Sequence, residues 1–347
     1  MKIIEKESKK YYQCEECGHI YEREELANKC EEWCKEHKSC NLEIVKESVN
    51  IENKTNLKQL LLGILIGGVF IFVLANLKVP SIPAKFSKNS INENLVSQIV
   101  NQVLPSQGFQ TRLILGDVVK KMIDCGVIDL EKMKKLYNGK IPEYVQKAIE
   151  GNPEPIIINQ ETANYLLNLF WPLGLSNKTE FNKNIPFSEK DLPYLASTGG
   201  WWLGKEENGA VYFNKCEIIK LTKEQEDLVY KVAQNTFRPC CDNSTFAQDC
   251  NHGSALLGAL ELAASQGYNE DELYKLALQL NSFWFPQNYI ETAIYFKVFE
   301  NKDWQNVDPK LIMSRDYSSI SGWMQNVHKK VAELNLPQVQ QGGSCGL

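Results

Sequence analysis

The sequence predicts a mainly α protein in three parts: a small cysteine-bearing module, one transmembrane helix, and a mostly helical globular domain with a short β-hairpin. Three observations predict it. The stretch Leu60–Ala75, LLLGILIGGVFIFVLA, carries no charge and no strongly polar residue. Of the 11 cysteines, five precede that stretch and six follow it. Beyond residue 110, residues that start and stop helices recur at helical spacing. The expected boundaries are 1–50 for the module, 57–79 for the span, 80–110 for a linker and amphipathic helix, 111–335 for the helical domain and 336–347 for a disordered tail.

In the module the cysteines fall as C-x2-C-x12-C-x3-C at Cys14, Cys17, Cys30 and Cys34. Gly18 suits the tight turn after the first pair. Residues 23–37 read as helix, which places Cys30, Cys34 and His37 on one face. Four soft thiolates in a tetrahedral array suit zinc. His37 is an alternate for Cys34, and Cys40 a further one. A disulfide hairpin is the competing reading. Tyr12, Tyr21 and Ala27 supply an apolar frame.

By this spacing and frame, residues 12–40 resemble a classical zinc finger with cysteines replacing its two histidines, and the resemblance implies a ββα fold around one zinc ion. The chain departs from that family in the second ligand pair and in the small Ala27. The first helical turn carries Arg23, Glu24, Glu25 and Leu26, with Glu15, Glu16, Glu22, Glu31 and Glu32 around it. Acidic side chains repel phosphate, and phosphate contacts dominate nucleic-acid affinity. The net charge of −5 supplies no basic field either. A module for protein contact is expected, with His19 on its surface and nucleic acid excluded as a partner.

The apolar run, extended by Leu57, Leu77 and Val79 and flanked by Lys58 and Lys78, reads as a membrane span. Val79-Pro80-Ser81-Ile82-Pro83 ends it. Gly63 and Gly67 form a GxxxG pattern, which either brings two copies together as a homodimer or faces lipid. Thiolates persist best in a reducing compartment. The expected topology is therefore single-pass, with the module cytoplasmic and the large domain extracytoplasmic, although the lysine distribution leans the other way.

Residues 80–90 read as a linker and Asn94–Leu104 as an amphipathic helix. In the large domain, helices are expected over 115–124, 130–137 (capped by Asp129), 161–171 (stopped by Pro172) and 222–236. That last one has a capping box of Thr222 and Gln225. Further helices are expected over 251–265 with Asn251 as cap, 269–285, 286–300 and from Ser318 or Ser319 to 334. Residues 197–220 read as the hairpin.

Chemistry in this domain is expected in the loop Arg238–Gly253, which gathers Cys240, Cys241, Cys250 and His252. Sulfur and imidazole together suit zinc or copper. Cys250 and His252 fall at a helix start, which favours thiolate. Three readings stand: a metal site among those four residues, with Asp242 or Asp249 fixing the imidazole; thiol chemistry, with Cys250 and His252 as the catalytic pair or Cys250 with Cys240 or Cys241 as a redox pair; or a structural disulfide. Cys125, Cys216 and Cys345 read as incidental. The chain has no P-loop, no GxGxxG and no CxxCH. The CC…DCNHG segment resembles one in prokaryotic membrane-anchored proteins, over roughly residues 110–300, and the resemblance implies no activity. The reading that follows is a membrane-anchored metal-binding protein, a sensor or carrier, with a finger for protein contact. The alternatives are a thiol-dependent enzyme or redox protein in the large domain, and a membrane-tethered scaffold.

Overall fold

A computed structural model describes residues 1–6, 9–37, 41–45, 47–49, 93–199 and 203–334. At the N-terminus, β1 (Lys2–Lys6) pairs antiparallel with β2 (Lys9–Gln13), and β2 with β3 (Ile20–Tyr21). Helix α1 (Glu24–His37) packs on this sheet. The result is the expected ββα arrangement with one added edge strand. Cys14, Tyr21, Ala27, Cys30 and Cys34 form its small buried core. A core of that size leaves little apolar burial to offset chain entropy.

The helical domain starts at α2 (Glu93–Val103), whose Ile99 and Val103 are buried. It is part of the main core rather than a stalk. The elements that follow are β4 (Phe109–Ile114), α3 (Val118–Cys125), α4 (Leu130–Leu136), α5 (Glu143–Glu150), β5 (Pro155–Ile158) and α6 (Ala163–Ser176). Then come α7 (Lys223–Gln234), α8 (Asn251–Ser265), α9 (Glu270–Trp284) and α10 (Pro286–Phe299), and a series of short helical turns reaches Ala332. The expected caps at Asp129, Thr222 and Asn269 are present, the last two as capping boxes.

The centre of the domain is the crossing of α6 and α8. A Cβ on Gly174 would lie 1.9 Å from the Ser254 carbonyl oxygen, and one on Gly258 would lie 2.5 Å from that of Phe170. Two glycines therefore let the backbones touch, and this explains the small-residue run after Gly253. Pro172 lies inside α6 and does not stop it. The apolar face beyond it is buried through Leu175, and that burial outweighs one missing backbone donor.

Three expectations are corrected. The hairpin over 197–220 is not found among the described residues: Ala196–Gly199 and Gly209–Tyr212 are helical turns. Cys216 bonds instead to the end of α6, donating to the Ser176 carbonyl at 2.8 Å and accepting from the Lys178 amide at 2.9 Å. The domain's sheet is β4 with β5, antiparallel, with Phe109 opposite Ile158.

The transmembrane helix is the second correction. Residues 57–79, with Gly63 and Gly67, lie outside the described residues, as do Cys40, Cys345 and the tail. Among the described residues no helix is long and apolar enough to cross a membrane. That expectation rested on hydropathy, which reports that a run avoids water and not what covers it.

The topology falls with it, on a positive finding. Asn243 Nδ2 donates to the His37 carbonyl at 2.6 Å, and the His37 ring faces Phe187 at 5.8 Å between centroids. Trp33 meets Tyr194 edge-on at 6.2 Å. Surfaces in contact cannot lie on opposite sides of about 30 Å of hydrocarbon. The module and the domain share one compartment.

Candidate metal centres

The N-terminal cluster is assembled by a knuckle and a helix. Cys14 and Cys17 flank a turn in which the Gly18 amide donates to the Cys14 carbonyl at 2.9 Å, and the Cys14 amide to that of His19 at 3.0 Å. Gly18 has φ +80°, a conformation an L side chain resists. Cys30 and Cys34, one turn apart on α1, face the knuckle. The four sulfurs all lie within 4.8 Å of one another. Cys17 stands 3.4 Å from Cys30, and Cys30 4.0 Å from Cys34. Four sulfurs at 2.3 Å from one tetrahedral ion stand about 3.8 Å apart. The cluster can hold such an ion. The crowding also acts on the thiols: the hydrogen bond with Cys17 pushes Cys30 up to about 12, and the same neighbour pushes Cys34 up further.

His37 does not join this group. Its Nδ1 lies 3.2 Å from the Trp33 carbonyl oxygen, its ring stacks on the Trp33 indole at 3.8 Å, and its Nε2 stands 3.7 Å from Asp191. The alternate ligand set with His37 in place of Cys34 is thereby corrected. Trp33 and His37 instead face the helical domain. His19 is not a plain surface residue: it is half-buried, with Nδ1 3.3 Å from the Cys17 sulfur.

The second cluster sits at the start of α8. Cys250, not Asn251, is the helix cap, and its sulfur accepts from the Gly253 amide at 3.4 Å. The loop before it is organised by Arg238, whose guanidinium is fully buried. Arg238 donates through Nε to the Cys250 sulfur at 3.1 Å, through Nη1 to the Asn243 carbonyl at 2.9 Å, and through Nη2 to Asp249. Gly253 is required beneath it, since a Cβ there would lie 2.7 Å from Nη2. Asn243 Nδ2 also donates to Asp249 at 3.2 Å.

The Cys240 sulfur stands 3.5 Å from that of Cys250, unbonded to it, and a ring nitrogen of His252 lies within 4.8 Å of both. The hydrogen bond from Cys240 and the Arg238 charge hold the Cys250 thiol well below its usual range, against its burial.

Cys241 approaches Cys250 from the Asp249 side. It is buried and lies 3.9 Å from both the Asn243 carbonyl and Asp249. Cys241, Asp249 and Cys250 also group within 4.8 Å, but the Asp249 carboxylate is already held by a guanidinium and an amide. The expected carboxylate support for His252 is absent. Asp242 accepts from the Ser321 amide and hydroxyl at 3.0 and 2.7 Å, and His252 Nδ1 has no hydrogen-bond partner. Ser197 and Thr198 bond to the carbonyls of Gln248 and Leu192, so both are structural.

Cys125 and Cys216, read as incidental, form a disulfide across 91 residues, with their Cα atoms 6.2 Å apart. Arg238 and Asn243 are the other residues the sequence did not mark. A buried arginine carries no local signature that separates it from a surface one, though its place before Pro-Cys-Cys was a hint. Compared with models of known families, curated proteins and solved structures, the chain has no match in any of the three.

Proposed function

We propose that this chain is a zinc protein in which Cys14, Cys17, Cys30 and Cys34 hold one structural Zn2+, and that the metal-bound module works by docking on protein. The convergence of four sulfurs within 4.8 Å of one another carries the reading. Four thiolates leave no position for water or substrate, which is the pattern of a structural rather than a catalytic zinc. The acidic first turn of α1, Glu24 and Glu25, argues against a phosphate-binding role. The opposite end, Trp33 and His37, meets Phe187, Tyr194 and Asn243 of the same chain. These contacts within the chain support the docking role. Metal analysis of the purified protein tests the reading. Zinc should be present, and Cys30→Ala should remove one equivalent; unchanged zinc content in that variant would refute it.

A further inference from the structure

We infer that Cys240, Cys250 and His252 form a second metal site, distinct from the four-cysteine centre, holding Zn2+ with one position open to an exchangeable ligand. The inference goes beyond the module and does not depend on it.

Geometry is the first support. Two sulfurs 3.5 Å apart and an imidazole nitrogen within 4.8 Å of both match the edges of a coordination tetrahedron, about 3.8 Å between sulfurs. The N-terminal cluster has the same spacing, 3.4 to 4.0 Å between unbonded sulfurs. The cysteine pair this domain does oxidise, Cys125 with Cys216, is joined outright.

His252 supplies an independent observation. The residue is 8% exposed, and its Nδ1 has no hydrogen-bond partner. A buried polar nitrogen without a partner costs about 1–3 kcal/mol, and a disulfide between Cys240 and Cys250 would leave that cost in place. The ring is held by packing on Phe285 at 4.6 Å and Trp284 at 5.9 Å between centroids. An imidazole fixed by aromatic side chains, with a ring nitrogen within 4.8 Å of both sulfurs, is placed as a ligand would be.

Charge gives the third support. Arg238 and Asp249 cancel each other as a buried ion pair. Two thiolates then cancel Zn2+, and the site is neutral overall. The Arg238 Nε–H and the Gly253 amide, both directed at the Cys250 sulfur, stabilise a ligating thiolate. A metal in the overlapping group of Cys241, Asp249 and Cys250 would instead need the carboxylate that Arg238 already holds. Two sulfurs and one imidazole leave the fourth tetrahedral position unfilled, the arrangement of zinc sites that bind water or substrate. Cys240 and Cys250 are both partly exposed, so a small ligand has access.

The test uses the full-length protein. Wild type should carry two zinc equivalents, and both Cys240→Ser and His252→Ala should fall to one with unchanged far-UV circular dichroism. These two variants spare Cys250, which caps α8. In cobalt-substituted wild type, azide should shift the visible spectrum, and it should shift nothing in Cys240→Ser. One zinc equivalent in wild type, with Cys250 freely alkylated, overturns the site. Two equivalents retained in both variants overturn these ligands. A cobalt spectrum indifferent to azide overturns the open position.

Discussion

The two cysteine clusters have the same sulfur spacing and opposite supports. In the N-terminal module the ligands are most of the core: Cys14, Cys30 and Cys34 are buried with Tyr21 and Ala27 and little else. Without an ion among the four sulfurs, little apolar burial is left to hold knuckle against helix. In the helical domain, Cys250 caps a helix whose backbone is wedged against α6 through Gly174 and Gly258. Arg238 locks the loop from within. There the chain's own packing and hydrogen bonds hold the loop. On the proposed reading, the difference separates a centre that makes its fold from one that uses it.

Chelation should break the comparison most sharply. Structural zinc contributes on the order of 10 kcal/mol to folding of a small finger. Cys30→Ala, or excess chelator, should therefore expose residues 9–37 to hydrogen exchange. The helical domain should keep its protection. Loss of protection in both parts together would show that the domain also depends on the module's ion.

The disulfide gives the reciprocal test. Cys125–Cys216 closes a loop across 91 residues, for which chain entropy predicts about 4.6 kcal/mol. Cys125→Ser should lower the denaturation midpoint of the helical domain and leave the zinc content of the module unchanged.

Asp249→Asn probes the lock on the second cluster. It leaves a buried guanidinium without its counter-ion, at a cost of about 3–5 kcal/mol. The loss should appear in the global unfolding of the helical domain, with the module's zinc retained. A change below 1 kcal/mol would mean that Arg238 reaches solvent.

The smallest effect is expected at the seam. Asn243→Ala removes the donor to the His37 carbonyl, worth about 1 kcal/mol net, together with the one to Asp249. Proteolysis of the docked module should quicken by about fivefold, with little change in the global midpoint. No change would place the docking energy wholly in the Trp33 and His37 ring contacts.

Legibility followed sequence distance. Cys14, Cys17, Cys30 and Cys34 fall within one short segment, and a knuckle glycine and a helix face fix their geometry locally. The ββα arrangement and most helix caps were legible for the same reason. The loop from Arg238 to Gly253 was legible as a place but not as a partition. Cys240 and Cys241 are adjacent and both approach Cys250, Cys240 in company with His252 and Cys241 with Asp249. The Cys125–Cys216 pairing and the β4–β5 sheet join segments far apart in the chain, which no local pattern specifies. Hydropathy, flanking lysines and the prolines after it mark 57–79 as a span without showing what covers it, and the seam through Trp33, His37 and Asn243 exists only once both parts are folded.

The most direct test of the central claim is zinc K-edge X-ray absorption on full-length His252→Ala, in which the N-terminal centre is the one that remains. A single shell of four sulfurs near 2.3 Å is predicted. A nitrogen or oxygen scatterer at about 2.0–2.1 Å, or the absence of bound zinc, would contradict the account.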